Sequence, residues 1–378
     1  MATATATAQG RDWSSLPVDV LAQILSRIKW SSHPSFGLVC RQWQYACTLL
    51  PFYPAWITPL LLNATNVGTT SFRYYSPYYH KNFEISTKLD TPGAKMYCVK
   101  GVHLMLGSEF MVHSAELRTG AVCELPPTSR PGFDFAVYDG VDRVYGVEAI
   151  NGLTVSLATK DSKGGWGEWE EHDIDDFHLV RAPFTVSPDC NPVLHDGLLY
   201  VMGEDGRLIV YNGSSHDQRF DILEKPHGFG FKCHDSYLFE SDRGELMAAL
   251  VGRRGTPVDT VKLNKRTMEW EKTESLEGRA LFTGTLTTMM KRTNIKWMRD
   301  KVFLPRLFNW PETIHVDLVE RDSELAFVPK LGAVLPTKKD DNNDTNMWTH
   351  EVGQGKEACA FWGTERLDYS VWVDFSTC

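Results

Sequence analysis

The feature that most constrains this 378-residue sequence is a run of short, strand-like segments from about Thr70 onward. Each segment is rich in β-branched and aromatic residues, and turn residues such as Gly, Asp, Asn and Pro separate it from the next, which is typical of an all-β array. Two segments, LLYVMGEDGRLIVYN and YLFESDRGELMAALV, contain alternating strands on either side of the turns 204–206 and 242–244. Both segments predict β-hairpins.

Weak internal similarity arranges these hairpins into repeats. Three related tetrapeptides each precede an apolar run: Tyr138-Asp139-Gly140-Val141, His195-Asp196-Gly197-Leu198 and His234-Asp235-Ser236-Tyr237. Because they recur at matching positions, we interpret them as turns in which Asp bonds the backbone, and not as catalytic His-Asp pairs. Two units also close on Glu-Trp-Glu, at Trp169 and Trp270.

The spacing between these repeats predicts the architecture. Like features recur about every 40–55 residues, which suits one four-stranded propeller blade per repeat. Five units fit between Lys95 and Lys330, and the flanking segments would supply a sixth. We expect strands near 72–85 to pair with strands near 368–375, because closing the ring removes exposed sheet edges. A pair of β-sandwiches is the competing architecture.

The stretch Leu16–Leu50 differs from the rest because its apolar residues follow a helical period. Leu21, Ile24, Leu25 and Ile28 lie three or four residues apart and would share one helix face. Pro17 suits the first helical position, where its missing N–H costs nothing. We predict a first helix here, preceded by Leu16.

A second helical pattern follows in the same stretch. Its apolar stripe would run through Phe36, Val39, Cys40, Trp43 and Cys47. Ser32 is the predicted N-cap of this helix, and Pro34 lies just inside its start. A module this short buries little surface by itself, which favours packing against a partner.

Together these helices resemble the F-box, a short motif that docks a protein onto a Skp-family adaptor in a cullin-based ubiquitin ligase. The shared features are Leu16-Pro17-x-Asp19-x-Leu21-x-x-Ile24-Leu25 and, downstream, Val39-Cys40-Arg41-x-Trp43. The resemblance implies that the motif residues form the helical core or the adaptor contact. Those residues are Leu16, Pro17, Leu21, Ile24, Leu25, Val39, Cys40 and Trp43. We expect Leu16, Pro17, Leu21 and Ile24 to lie on the exposed, adaptor-facing side.

The strand-rich region resembles a plant domain of unknown function that follows F-boxes and is similar to kelch-type β-propellers. The matching stretch, 237–307, contains YLFESDRGELM, the VKLN before Trp270, and SLEGRALFTG. The resemblance implies a substrate receptor that is not itself catalytic. Its implied partners are a Skp-family adaptor, through it a cullin, and an unknown target protein.

These observations predict an α+β multidomain chain. A small all-α F-box would precede an all-β domain, a β-propeller of five to six blades. We expect a disordered tail over 1–10, the F-box over 11–50, a linker over 51–69 and the propeller over 70–378. No cofactor or metal is implied.

Charge and hydropathy exclude several other functions. The net charge of −9 argues against binding to a phosphate backbone, so we expect no nucleic-acid partner. No apolar run approaches the length of a membrane span, and the first ten residues lack the features of a secretory signal. The eight cysteines form no C-x-x-C pair and are interpreted as small buried hydrophobes in a reducing compartment. We therefore expect a cytoplasmic or nuclear protein.

Two rival functions stay open. The segment Lys29–Gly37 departs from the usual F-box connection, so the protein could be a scaffold with a degenerate F-box. A propeller enzyme acting on a sugar or small metabolite would need convergent side chains in the channel, drawn from Asp139, His195, Asp196, His234 and Asp235. A metal site in EEHDIDDFH, with His172 and His178, is disfavoured because nothing places the ligands on one face.

Overall fold

The computed structural model describes the strands of the repeats and most of the N-terminal helices. The described residues are 13–27, 36, 38–49, 58–62, 71–78, 81–86, 94–108, 110–117, 120–129, 132–149, 152–174, 184–215, 220–230, 233–252, 258–304, 313–321, 324–329 and 370–375. The expected tail 1–10 and the predicted helix residues Ile28, Ser32 and Pro34 lie outside them. The chain divides into two compact units, 1–55 with 319–328 and 56–318 with 329–378.

The first unit contains a short helical module. A 3-10 turn at Trp13–Ser15 precedes the helix α1, Val18–Arg27. The helix α2 spans Arg41–Leu49. Helix α1 begins one residue after Pro17, and the Leu21 N–H donates to the Pro17 carbonyl at 3.0 Å. The predicted position of this helix start is therefore confirmed to within one residue.

The rest of the described chain is a six-bladed β-propeller, with antiparallel sheets in blades 2 to 5 and one parallel strand pair in each of blades 1 and 6. Blades 2 to 5 each contain four strands in chain order. Blade 2 comprises β4 Lys95–Lys100, β5 His103–Ser108, β6 Met111–Glu116 and β7 Val122–Glu124; blade 3 comprises β8 Phe135–Tyr138, β9 Arg143–Glu148, β10 Thr154–Thr159 and β11 Glu170–Asp173. Blade 4 comprises β12 Val193–His195, β13 Leu198–Met202, β14 Leu208–Tyr211 and β15 Phe220–Ile222; blade 5 comprises β16 Asp235–Glu240, β17 Leu246–Val251, β18 Val258–Asn264 and β19 Glu269–Thr273.

Blades 6 and 1 are less regular. Blade 6 has three strands in the order β21-β20-β22, with a 3-10 turn at Lys296–Met298. Its strands are β20 Arg279–Phe282, β21 Met289–Arg292 and β22 Lys301–Phe303. Blade 1 has the order β25-β1-β2-β3-β23-β24 and joins strands from both ends of the chain. They are β1 Leu60–Leu62, β2 Ser71–Ser76, β3 Lys81–Ser86, β23 Thr313–Arg321, β24 Glu324–Pro329 and β25 Val371–Val373. The sixth blade expected from the flanking segments is present, and the sandwich alternative is wrong.

Ring closure uses a different strand from the predicted one. Strand β25 pairs directly with β1, with Leu61 opposite Trp372, and β1 in turn pairs with β2. Strand β1 lies inside 51–69, the segment expected to be a linker. Its three leucines are all buried, and they exclude water from both faces of this short central strand. The segment 72–85 thus joins the closing sheet but is not the direct partner of the C-terminal strand.

The two predicted hairpins are confirmed, and local chemistry explains their turns. Gly206 and Gly244 both have positive φ angles, 87° and 71°, which glycine adopts without steric cost. Ser241 Oγ accepts the N–H groups of Arg243 and Glu245 at 3.3 and 3.1 Å. Polar side chains therefore hold the turn backbone independently of the core.

Of the three tetrapeptides, two are turns and one is not. Asp139 Oδ1 accepts the N–H groups of Val141, Asp142 and Arg143 at 2.7, 3.0 and 3.1 Å, as predicted. Asp196 also lies in a turn, but its carboxylate pairs with Lys265 at 2.6 Å. Asp235 is the first residue of strand β16, so its predicted turn role is wrong. In blade 5 the turn between the first two strands is 241–245, because the tetrapeptide there lies at the start of the first strand and not at its end.

Candidate functional site

The helical module has its own small core. Leu21 and Leu25 of α1 pack with Phe36 and Ala46, and all four are buried. Leu16, Val18, Ile24 and Trp43, which are partly buried, surround this cluster. The two-helix contact therefore explains the apolar stripe of α1.

Side-chain hydrogen bonds tie α2 to the segment before α1. Gln42 Nε2 donates to the Leu16 carbonyl at 2.6 Å, and Trp43 Nε1 donates to the Trp13 carbonyl at 3.0 Å. The Trp43 ring also packs on Phe36, with 4.4 Å between ring centroids. Trp43 thus acts within the module as a packing and hydrogen-bonding residue.

The second predicted helix is not continuous, because residues 38–40 form a turn before helix α2 begins. Helix α2 begins at Arg41, and its first backbone bond runs from the Gln44 N–H to the Cys40 carbonyl at 2.9 Å. Before it, the Val39 N–H donates to the Phe36 carbonyl at 3.3 Å. The continuous stripe from Phe36 to Trp43 is therefore wrong. The turn directs Phe36 into the core and leaves Val39 outside it.

The structure divides the eight predicted site residues into three groups. Leu21 and Leu25 are buried; Leu16, Ile24, Cys40 and Trp43 are half-buried; Pro17 and Val39 are exposed. The expectation that Leu21 lies on the exposed side is wrong, because its side chain is 0% exposed within the core of the module. A substitution at Leu21 would therefore unfold the module before it tested any contact.

Four exposed apolar side chains of the module form what we call the apolar set. They are Trp13, Leu38, Val39 and Tyr45, with exposed fractions of 57%, 84%, 55% and 57%. Trp13, Leu38 and Tyr45 were not predicted as site residues. Tyr45 follows Trp43 by two positions, about 200° around a helix, so it was detectable as an aromatic residue on the polar face. Four of the seven exposed large apolar side chains among the described residues therefore lie in this short module.

The propeller has a cavity at one end of its central channel. The volume is about 910 Å³, and every blade contributes to the lining. Blades 2 to 5 contribute from the inner strands β4, β8, β12 and β16, while blade 6 contributes the segment 284–291 and blade 1 contributes Asp374. The inner ends of the strands, brought together by ring closure, therefore build one shared site.

Most charged groups on this lining have a partner within the protein. Asp242 accepts from Arg279 Nε at 2.6 Å, and Lys291 pairs with Asp374. Glu240 Oε2 lies 3.0 Å from Nδ1 of His195, a side chain only 2% exposed. These contacts join neighbouring blades, since His195 belongs to blade 4, Glu240 to blade 5 and Arg279 to blade 6.

The five residues proposed for a channel enzyme do not converge. Asp139 lines the cavity, whereas His195, Asp196, His234 and Asp235 are not among its lining residues. Within the described part of the chain, no group of three or more potential metal ligands occurs. In the acidic segment, Asp173 accepts a hydrogen bond from Thr154 at 2.6 Å, and His178 lies outside the described residues. Of these five residues, Asp139 alone lies on the cavity lining.

Two cysteines illustrate the buried, unreactive environment beside the cavity. Burial raises the pKa of the Cys98 and Cys190 thiols to about 12, so both stay protonated at physiological pH. Cys190 Sγ also accepts the Leu238 N–H at 3.1 Å, which ties the start of blade 4 to β16. These two residues fit the prediction of small buried hydrophobes; Cys123 is exposed.

Comparison with known families agrees with the division of the chain into a helical module and a propeller. Residues 13–54 match the F-box domain, and residues 86–305 match the KIB1-4 beta-propeller. The second match spans more than half of the chain. The chain belongs to the KIB1-4 beta-propeller family. Membership in this family, together with the N-terminal F-box, supports the architecture of an F-box substrate receptor, and F-box domains bind Skp-family adaptors.

Solved structures resemble this protein only distantly. A protein from Bacteroides uniformis assigned as a 6-phosphogluconolactonase is 13% identical over 61% of this chain and 73% of its own, with a TM-score of 0.35. An extracellular domain from B. thetaiotaomicron, assigned to a hybrid two-component system, is 14% identical over 55% of this chain and 26% of its own, with a TM-score of 0.32. No curated protein matches the sequence. Among the described helices, none is long and apolar enough to cross a bilayer.

Proposed function

We propose that this protein is a substrate-receptor subunit of a Skp–cullin–F-box ubiquitin ligase. Its helical module would bind a Skp-family adaptor and, through it, a cullin. The observation that carries this proposal is the F-box match over 13–54 together with the exposed apolar set. We infer a cytoplasmic or nuclear location, where such ligases act.

The contact with the adaptor would centre on the apolar set and Pro17. Leu38 is the most exposed of the large apolar residues in the described part of the module, at 84%. Burying such a side chain in an interface contributes about 1.5–3 kcal/mol. The half-buried Leu16 and Ile24 would add contacts around this set, whereas Leu21 and Leu25 would act by holding α1 against α2.

The propeller would hold the target protein, and the protein itself would catalyse no reaction. A receptor raises the effective concentration of its target near the site of ubiquitin transfer, which needs binding and positioning but no active site of its own. The divergence of the connection between the helices leaves a scaffold role as the outcome to expect if the adaptor does not bind.

Co-purification of the full-length chain with a Skp-family adaptor and a cullin tests this function. We expect Leu38→Asp to weaken capture by at least about tenfold, because a buried carboxylate replaces an apolar contact. Thr267→Asp adds the same charge to an exposed turn of blade 5 and is the matched control. Leu21→Asp should also abolish capture, with loss of the α-helical circular dichroism of the module.

The outcomes separate clearly. Capture by the wild type and the control, but not by Leu38→Asp, supports the adaptor role. Equal capture of Leu38→Asp and wild type would contradict the assigned surface. Failure of the wild-type chain to bind any Skp-family adaptor would refute the ligase function and favour the scaffold.

A further inference from the structure

Blade 6 carries a basic loop whose two ends are held at one point. The eleven residues 291–301 contain five Lys or Arg residues and one acidic residue, in a chain of net charge −9. At one end, Arg292 of β21 lies opposite Arg279 of β20. At the other end, the Asp300 N–H donates to the Arg279 carbonyl at 2.7 Å. Because both ends meet the same residue of the central strand, the segment 292–300, which we call the basic loop, is compact.

Aromatic and apolar packing holds the basic loop in place. Met298 is 0% exposed and lies in the buried cluster that contains Trp372. Trp297 is half-buried, and its ring stacks on Tyr78 of blade 1, with 6.5 Å between the centroids and 19° between the planes. The Met298 N–H also donates to the Ile295 carbonyl at 3.1 Å. The loop backbone is therefore fixed by the propeller itself, so that binding of a partner requires little further ordering.

Three cations of the basic loop are exposed and have no partner in the described part of the chain. Arg292, Lys296 and Arg299 are all exposed, and their side chains form no hydrogen bond or ion pair with a described residue. The carboxylate of the loop is directed elsewhere, since Asp300 Oδ1 accepts the Ser275 hydroxyl at 3.0 Å. Several cations of blade 5 differ in having carboxylate partners; these pairs are Lys262–Glu245, Lys265–Asp196 and Lys272–Asp259. The basic loop thus presents unbalanced positive charge on a protein whose net charge is negative.

We propose that the basic loop is a docking surface for an acidic segment of the target protein. This inference rests on the proposed role of the propeller as a target receptor. Carboxylates complement the three cations, and an arginine can bind one carboxylate through two parallel N–H groups. The exposed part of Trp297 lies between Lys296 and Arg299 in the sequence, and it offers an apolar surface to a side chain next to the carboxylates.

A nucleic acid fits this surface less well than an acidic peptide does. Tight DNA complexes commonly make about six to ten phosphate contacts. The basic loop offers three unpaired cations, and the net charge of −9 repels a long phosphate backbone. A short acidic segment needs a charge match only at the loop itself. The observations therefore favour a protein partner.

Fluorescence anisotropy of the full-length chain with labelled peptides tests this inference. The probes are an acidic peptide of Asp-Glu-Leu repeats and a neutral peptide in which Asn and Gln replace the acidic residues. We expect the acidic peptide to bind, and the neutral peptide to bind at least about tenfold more weakly. The triple variant Arg292→Glu/Lys296→Glu/Arg299→Glu should weaken binding of the acidic peptide at least about tenfold, because it replaces attraction by repulsion at three positions. Added salt should weaken the wild-type complex, since it screens exposed charges.

The matched control reverses three exposed cations on other blades, Lys100→Glu/Lys163→Glu/Arg266→Glu. Their side chains also form no hydrogen bond or ion pair with a described residue, so the control changes the net charge equally at positions outside the basic loop. It should bind the acidic peptide within about threefold of the wild type, because salt screens distant charges. If circular dichroism shows that the charge-reversal variant does not fold, Arg292→Gln/Lys296→Gln/Arg299→Gln provides the same comparison.

Four results would overturn the inference. They are no binding of the acidic peptide, equal binding by the triple variant and the wild type, an equal loss in the control, and tighter binding of a labelled single-stranded RNA than of the acidic peptide. Adaptor capture is measured separately on the same variants. Peptide binding that depends on the basic loop, without adaptor capture by the wild type, would refute the ligase function and leave the docking surface in place. Adaptor capture without peptide binding would refute the docking surface alone.

Discussion

Trp372 provides the sharpest test of how the propeller closes. It lies on β25, is 1% exposed, and donates its Nε1–H to the Thr283 carbonyl at 2.7 Å. Its ring packs on Phe282 at 5.2 Å, within a buried cluster that also includes Leu61. One side chain thus links blade 1 to blade 6 across 89 residues of sequence.

The substitution Trp372→Phe keeps an aromatic ring and removes the N–H. A buried carbonyl left without its donor costs about 1–3 kcal/mol, and the smaller ring adds a packing loss. Full truncation, Trp372→Ala, should cost about 3–5 kcal/mol, the usual range for a buried tryptophan. Because both terms act on the closing strand, the whole propeller transition should shift.

Trp166→Phe is the matched control. Trp166 is half-buried, and its Nε1 has no hydrogen-bond partner among the described residues. The same exchange there removes an unpaired N–H, so it should cost less than Trp372→Phe by about 1–3 kcal/mol. Urea unfolding of the full chain, followed by circular dichroism of the β-sheet, measures both variants. If both substitutions destabilise the protein equally, the hydrogen bond from Trp372 to the Thr283 carbonyl does not stabilise ring closure as we infer.

Three further substitutions test local features of the propeller. Gly146→Ala should destabilise the protein by about 1–3 kcal/mol, because the added Cβ would lie 2.4 Å from the Phe133 ring; thermal unfolding measures this. Asp139→Ala should cost about 1–3 kcal/mol in urea unfolding, since three backbone N–H groups lose their acceptor. A hydrogen bond from Arg279, and then the charge of Arg243, lower the pKa of the Glu277 carboxyl. Its stabilisation is therefore present above the ordinary Glu pKa and lost as the pH falls through the lower folded value, so Glu277→Gln should destabilise at pH 7 and approach wild-type stability in acid.

Each of these predictions has a control. Gly165→Ala adds a methyl group where the nearest atoms lie at ordinary contact distance, and it should change stability little. Asp139→Asn retains an acceptor oxygen and should cost less than the alanine variant. For Glu277, the difference in stability between the wild type and Glu277→Gln should shrink from pH 7 to pH 3. A difference that stays the same would contradict the ion-pair explanation.

The local elements were determined by the sequence itself. The hairpins of blades 4 and 5 follow from alternating apolar residues around a glycine that can adopt positive φ, and Asp139 organises its turn through contacts within four residues. Helix α1 follows likewise from Pro17 and a 3.6-residue period. These signals depend on neighbours in the chain, so no knowledge of the fold was needed. Five repeats and the two flanking segments then predicted five to six blades, and the structure has six.

The tertiary structure alone decided which residues become core and which become surface. Leu21 lies on the apolar stripe that was expected to face the adaptor, and only its packing with Phe36 and Ala46 shows that it is buried. The pairing of β25 with β1 and the meeting of Asn191 with Thr285 join residues far apart in sequence. Such contacts carry no local periodicity, because their geometry exists only once the six blades have closed into a ring.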